Sequence, residues 1–571
     1  MNKRQRALLC LLSVLLLLGA TAWAGETLWT YKSGSDLKWH RLLQTGELLA
    51  GGDAGIVCLN AKTGEVSWKR EDLQGITAYQ VNEVTTTPYL LLAKNDMSKT
   101  RLWALDIFTG KTVWETEKLK GQTIGVYPHP TDDAVLLMTG NGSGKVKADM
   151  IYLRLSDGNV LWEGEFPDKI DLHQAEQKSR WVKHYDLSGH QPPVFDTDAI
   201  YFTFAGLHRV DPATGKFVWA IPYDVTEGRL KRGNAQALVD GDLIYTSSKG
   251  QLRAVDKKSG QVKWTSSDFG AAVAEMVVEG ETIYGRMGGT FFDDKKMEWD
   301  LKKPLGVVAV NKSSGAPLWK FDKMKDAITN LLYVPAKNQV MIADKDELVG
   351  LDAAKGSVAF TSKVEFIHKT SGAQKTMKIA RFGMGGLKGG LKGMSDDKKR
   401  EDVPITIALT ATGRGIIRGR QNLVSFTPDN GQVSFANYYE APGFAGWQQF
   451  AMLALNAASY YMNTSGALNT NLGTSSNNMY NANRQKDLTR MSDVVNRRFS
   501  ATKTAGKYVY ILTQVEDGKD KGAGLMAVNL ETGETEGSAL IKDKEPDYVV
   551  DSISGNIFNL KDKEITAYVV R

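Results

Sequence analysis

Seven histidines and two cysteines among 571 residues leave a short inventory for metal or nucleophile chemistry. Three histidines, His173, His184 and His190, share one stretch with Asp171 and Asp186. Their spacing matches neither an HExxH helix nor a paired-cysteine site, so they read as surface-loop residues. Asp240-Gly241-Asp242 has the acids of a calcium loop, but strand-like residues flank it directly, which makes it a hairpin turn. No GxSxG or SxxK nucleophile motif stands in a strand-to-helix context. The glycine-rich string at 377–394, MKIARFGMGGLKGGLKGM, does not follow a strand and open a helix as a dinucleotide cradle requires. Cys58, between Val57 and Leu59, reads as a buried, inert thiol. No catalytic, cofactor-binding or metal-binding residue is assigned.

What remains is architecture. Residues 1–24 have the form of a secretory signal: Lys3, Arg4 and Arg6, an apolar run from Ala7 to Ala20, then Ala22-Trp23-Ala24 with small residues where a peptidase reads. A retained anchor is the competing reading, but the run is short for a membrane span. Leu9 precedes Cys10 where a lipoprotein signal needs a small residue, so lipid attachment is rejected. Without this leader the net charge falls from +6 to +3, too balanced to attract nucleic acid. Only Cys58 then survives, and it has no partner for a disulfide within the chain.

One phrase recurs along the rest: a short apolar strand, a polar residue, a turn ending in Gly, and a strand with Trp four residues later. It reads CLNAKTGEVSW at 58–68, ALDIFTGKTVW at 104–114, LRLSDGNVLW at 153–162, RVDPATGKFVW at 209–219, AVDKKSGQVKW at 254–264 and AVNKSSGAPLW at 309–319. Weaker copies are GLDAAKGSVAF at 350–360, SFTPDNGQVSF at 425–435 and AVNLETGETEG at 527–537. Asp or Asn starts the turn by bonding forward to the backbone, and Gly takes the positive φ. Two further strand signals precede nearly every copy, so each unit is a four-stranded antiparallel sheet, A to D, with the turn between C and D. Such units must stack and close. The last strand signal, Glu564 to Val570, is C-type, and Leu28-Trp29-Thr30-Tyr31 is D-type, so both chain ends would complete one blade. The expected fold is all-β: one large propeller over 25–571 with ten blades by repeat count and eight as the alternative.

The phrase resembles the PQQ-like, quinoprotein-type β-propeller repeat, whose members include the propeller component of the outer-membrane barrel-assembly machine. The resemblance implies that the turn Gly and the following aromatic dock neighbouring blades. Trp68, Trp114, Trp162, Trp219, Trp264 and Trp319 match that position, Phe360 and Phe435 replace it, and Gly537 departs from it. Enzymes among these relatives commonly carry a vicinal Cys pair, and many add a CxxCH haem site; this chain has neither.

Two intervals between turn glycines are long, Gly356 to Gly431 and Gly431 to Gly533, and place insertions at about 366–402 and 441–497. Strand direction alternates within a blade, so D–A and B–C connections emerge on one face. Smaller insertions at 287–304 (B–C) and 164–191 (D–A) join the two long ones there. The first long insertion contains the basic 377–394 string with Lys388 and Lys392. The second contains FAGWQQFAMLALNAASYYM at 444–462, where Trp447, Phe450, Ala454, Ala457 and Tyr461 recur at helical spacing. Phe444, Trp447, Phe450, Tyr461, Lys388 and Lys392 are the candidate partner-binding residues, with membrane-surface contact as a further use of both segments. The leading expectation is an exported, non-catalytic envelope scaffold that holds other proteins through one face. A PQQ-dependent dehydrogenase is the alternative. A carbohydrate-binding protein using Trp447, Tyr460 and Tyr461 is the second.

Overall fold

The computed structural model describes residues 26–570 apart from short breaks and the stretches 175–184, 187–191, 223–234, 367–403 and 440–506. The leader, both long insertions and all six candidate partner-binding residues lie outside the described residues. Ten antiparallel sheets follow one another along the chain. Blade 1 spans 37–70, and the following seven end with blade 8 at 406–438. Blade 9 is described as three strands, Tyr508–Asp517, Asp520–Asn529 and Thr535–Leu540. Blade 10 takes strands A to C from Asp547–Val550, Asn556–Lys561 and Glu564–Val569, and strand D from Glu26–Lys32. The count is therefore ten, not the alternative of eight. The closing ladder runs from Glu26 opposite Val569 to Lys32 opposite Glu564.

Alternation along each strand buries both faces of a blade against its two neighbours. In strand C of blade 1, Ile56 and Cys58 face blade 2, among Leu90, Leu92 and Trp103. Val57 and Leu59 face blade 10, among Phe558, Ile565 and Ala567. Ten such apolar clusters fill the ten interfaces, so the core is a ring of side-chain layers rather than one central mass. Cys58 is fully buried, and burial pushes its thiol well above the ordinary range.

The recurrent turn has the same construction throughout. In blade 2, Asp106 Oδ1 accepts from the amides of Phe108 and Thr109 at 3.1 and 2.9 Å, and Gly110 takes φ +67°. A bulge then shifts the C–D register between Ala104 and Leu105, which sets Trp114 opposite Ala104. Asp240 and Leu243 pair directly across Gly241, so Asp240-Gly241-Asp242 is an A–B hairpin turn.

Candidate functional site

The aromatic of strand D is placed by the next blade. A Cβ built on Gly110 would lie 2.5 Å from Trp68 Cδ2, so the indole rests directly on the turn backbone. Trp68 Nε1 donates to the Ile107 carbonyl of that turn at 2.7 Å. The same pair of contacts joins Trp114 to Gly158 and Leu155 O, and Trp162 to Gly215 and Pro212 O. Trp219 meets Gly260 and Lys257 O, Trp264 meets Gly315 and Lys312 O, and Trp319 meets Gly356 and Ala353 O. The acceptor is always the residue after the one that starts the turn, a rule the sequence spacing does not disclose. Trp29, in the strand D contributed by the N-terminal segment, makes the seventh copy, on Gly64 with its N–H to Ala61 O at 3.1 Å. Phe360 covers Gly431 and Phe435 covers Gly533, without an indole donor. Each of these aromatics packs between two neighbouring blades, against the turn of the next one.

The elaborated face is the opposite one, where B–C and D–A connections emerge. The 287–304 insertion is a continuous β-arm rather than an irregular loop: strand B of blade 6 runs Thr282–Asp293 and strand C runs Glu298–Asn311. Strand A pairs with it only as far as Met287, and strand D only as far as Leu305. Beyond those residues the arm is a two-stranded ribbon in which Phe292 stands opposite Trp299 and Thr290 opposite Leu301. Gly288, at φ +66°, forms its base, where a Cβ would lie 2.5 Å from the Lys302 carbonyl.

A polar chain fixes that base to the next blades. Arg286 Nη1 donates to Gly288 O at 3.1 Å, and its Nε to Glu275 Oε2 at 3.2 Å. The same carboxylate oxygen accepts from Leu331 N of blade 7 at 2.9 Å. Next to it, Asn330 bridges to blade 8: its Nδ2 donates to Ile407 O at 3.0 Å and its Oδ1 accepts from Ile407 N at 2.9 Å. Charge-assisted and bidentate contacts of this kind hold geometry better than neutral single bonds. The base of the arm is thereby linked to blade 7 and, beyond it, to blade 8, whose D–A connections carry the two long insertions.

The D–A connection after blade 3 also adds strands. Ile170–Gln174 pairs with the start of strand C, Gly144 to Val146, and then with Tyr185–Asp186. Register sets His173 opposite Asp186 and Asp171 opposite Lys145, while His184 and His190 lie outside the described residues. Among the described residues no three His, Cys, Asp or Glu side chains converge as a metal site. No helix among them is long and apolar enough to cross a membrane.

Residues 18–170 match the family model described as outer membrane protein assembly factor BamB, a PQQ-type repeat model. This chain is a ten-bladed β-propeller, and its first 170 residues contain the part that matches a PQQ-type repeat model. Among solved structures, the propeller is similar to BamB from Moraxella catarrhalis at 14% identity, covering 73% of this chain and 100% of that one, with a TM-score of 0.35. A europium-containing methanol dehydrogenase is similar at 12% identity over 73% of this chain and 81% of that one, TM-score 0.33. Dihydro-heme d1 dehydrogenase NirN follows at 10% identity over 71% and 78%, TM-score 0.35. Likenesses of this size transfer no ligand and no partner to the propeller described here. No curated protein matches the chain.

Proposed function

We propose that this PQQ-like propeller is a non-catalytic scaffold of the cell envelope that holds other proteins on its B–C/D–A face. The observation that carries the reading is the concentration of added structure on that one face. The blade 6 arm, the extra strands after blade 3 and both long insertions all leave the ring there, whereas the A–B and C–D turns are short. Loops on a rigid frame are where binding residues gather. The arm also runs on past its flanking strands A and D as a two-stranded ribbon, a shape that suits addition of an extended segment from a partner. The match of 18–170 to a model named for outer-membrane protein assembly supports an envelope partner, and the 1–24 leader supports export. The reading includes no lipid anchor and no resident cofactor.

A photo-crosslinking residue placed at Trp299 in the arm, and separately at Lys258 in a C–D turn, tests the face directly in cells. Discrete protein crosslinks from position 299 and none from 258 are expected. The reverse pattern, or identical adducts from both, refutes the choice of face. Deleting 441–497 in the same cells should remove or weaken those adducts while the purified variant keeps its β-sheet spectrum; undiminished crosslinking would exclude that insertion from the contact.

A further inference from the structure

The contacts that join one blade to the next are not equal around the ring. From blade 10 round to blade 6, seven successive strands D carry an indole that covers a turn glycine and donates to a turn carbonyl. Between blades 7 and 8, and between 8 and 9, Phe360 and Phe435 cover the glycine without that hydrogen bond. Between blades 9 and 10 the ring is missing altogether. Strand D of blade 9 has Gly537 at the aromatic position, opposite Ala527.

The departure has a topological cause. Strands C and D of blade 10 come from opposite parts of the chain, Glu564–Val569 and Glu26–Lys32, so no C–D hairpin turn joins them. The aromatic that blade 9 does place on a turn glycine of blade 10 is Tyr510, from strand A, whose hydroxyl lies 2.9 Å from a Cβ built on Gly555 in the A–B turn. Among the described residues the packing is also thin at this interface: its buried apolar cluster is Leu525, Ala539, Ile541 and Ile557. The interface between blades 1 and 2 buries Trp39, Leu43, Leu49, Ile56, Cys58 and Trp68 from blade 1 alone. The rest of the 9/10 contact is partly buried, and includes Tyr510, Tyr548 and Tyr568. Each fully buried aliphatic side chain contributes about 1.5–3 kcal/mol, so the difference between the two clusters is large against any single hydrogen bond.

We propose that the interface between blades 9 and 10 is the ring's built-in opening point, where the propeller parts before it parts at the strand-paired closure inside blade 10. Opening there separates side-chain layers only and breaks no strand ladder. The closure itself keeps a six-residue-pair ladder. A repeat array opens where its neighbour coupling is weakest.

Native-state thiol labelling of the full mature protein reads this directly, because Cys58 lies in the 1/2 cluster and serves as an internal reference. Two single variants report other interfaces: Ala539→Cys at 9/10 and Ala567→Cys at 10/1, both fully buried positions. An exposed thiol regains an ordinary pKa once its interface opens, so labelling ratios report opening populations. Ala539→Cys should react at least about tenfold faster than Cys58 and than Ala567→Cys. A rate for Ala539→Cys no greater than that of Cys58 overturns the proposal. So does Ala567→Cys reacting as fast as Ala539→Cys, which would mean that blade 10 frays as a whole.

Discussion

Gly75 and Gly110 have nearly the same backbone, φ +73° and +67°, and opposite surroundings. A Cβ on Gly75 would meet nothing within 4 Å, whereas one on Gly110 would lie 2.5 Å from Trp68 Cδ2, with Cγ and Cε3 at 2.7 Å. Gly75→Ala therefore carries only the left-handed strain, about 1–2 kcal/mol, less the gain of about 0.4–1 kcal/mol from a stiffer unfolded chain. Gly110→Ala carries the same two terms and an overpacking cost of about 1–3 kcal/mol, because the indole is held by Ile107 O and cannot slide away. The difference between the two variants isolates the ring-on-glycine contact at about 1–3 kcal/mol. Guanidinium unfolding with matched m values measures it. In a Trp68→Ala background the two alanines should cost the same, since the contact is already gone. Equal costs in the native background would refute the claim that this contact holds blades 1 and 2 in register.

Three further outcomes are expected. Phe435→Trp should add about 0.5–1.5 kcal/mol of stability, because the indole N–H gains Leu530 O, the carbonyl equivalent to those used by the other seven; unchanged or lower stability would show that the Phe site cannot seat an indole. His40 is buried between blades 1 and 10, with Nε2 2.9 Å from Phe558 O and Nδ1 3.8 Å from Asp547 Oδ1. Burial holds its pKa below the ordinary value despite the opposing pull of Asp547 and the Phe558 carbonyl. The unfolded chain thus binds the proton more readily, so this contribution to stability is complete above about pH 6.5 and is lost as pH falls. His40→Gln should flatten the slope of unfolding free energy between about pH 5 and 7, and an unchanged slope would assign it to other groups. Finally, PQQ titrated into the purified protein, with and without calcium, should leave tryptophan fluorescence unquenched; saturable, stoichiometric quenching would replace the scaffold reading with the dehydrogenase.

The ten-blade ring was legible in the sequence because its signals are local. An Asx-started turn, a glycine at positive φ and an aromatic four residues later are satisfied within a dozen residues, and they repeat. The termini read as C- and D-type strands for the same reason, and Glu564–Val569 does pair with Glu26–Lys32. The candidate partner-binding residues could be named from helical spacing and charge, but they lie outside the described residues. The interior of 287–304 shows why loops resist such reading: nothing in FFDDKKMEWD specifies whether it closes as a loop or extends a ladder. The answer rests on the register shift at Gly288, which sets Gly289 opposite Lys302 and carries the ladder on into the arm.

Tertiary structure alone decided what each local signal meets. The sequence supplies Trp68 and Gly110 but not the Ile107 carbonyl between them, nor the run from Gly288 through Arg286 and Glu275 to Leu331. Gly537 looks like decay of the repeat until the closure is seen, when the next blade proves to take its strands C and D from opposite parts of the chain. Local turn chemistry acts over a few residues of chain, so sequence determines it by itself. The strength of each blade-to-blade contact depends on which residues the closed ring brings opposite one another, and only the fold fixes that.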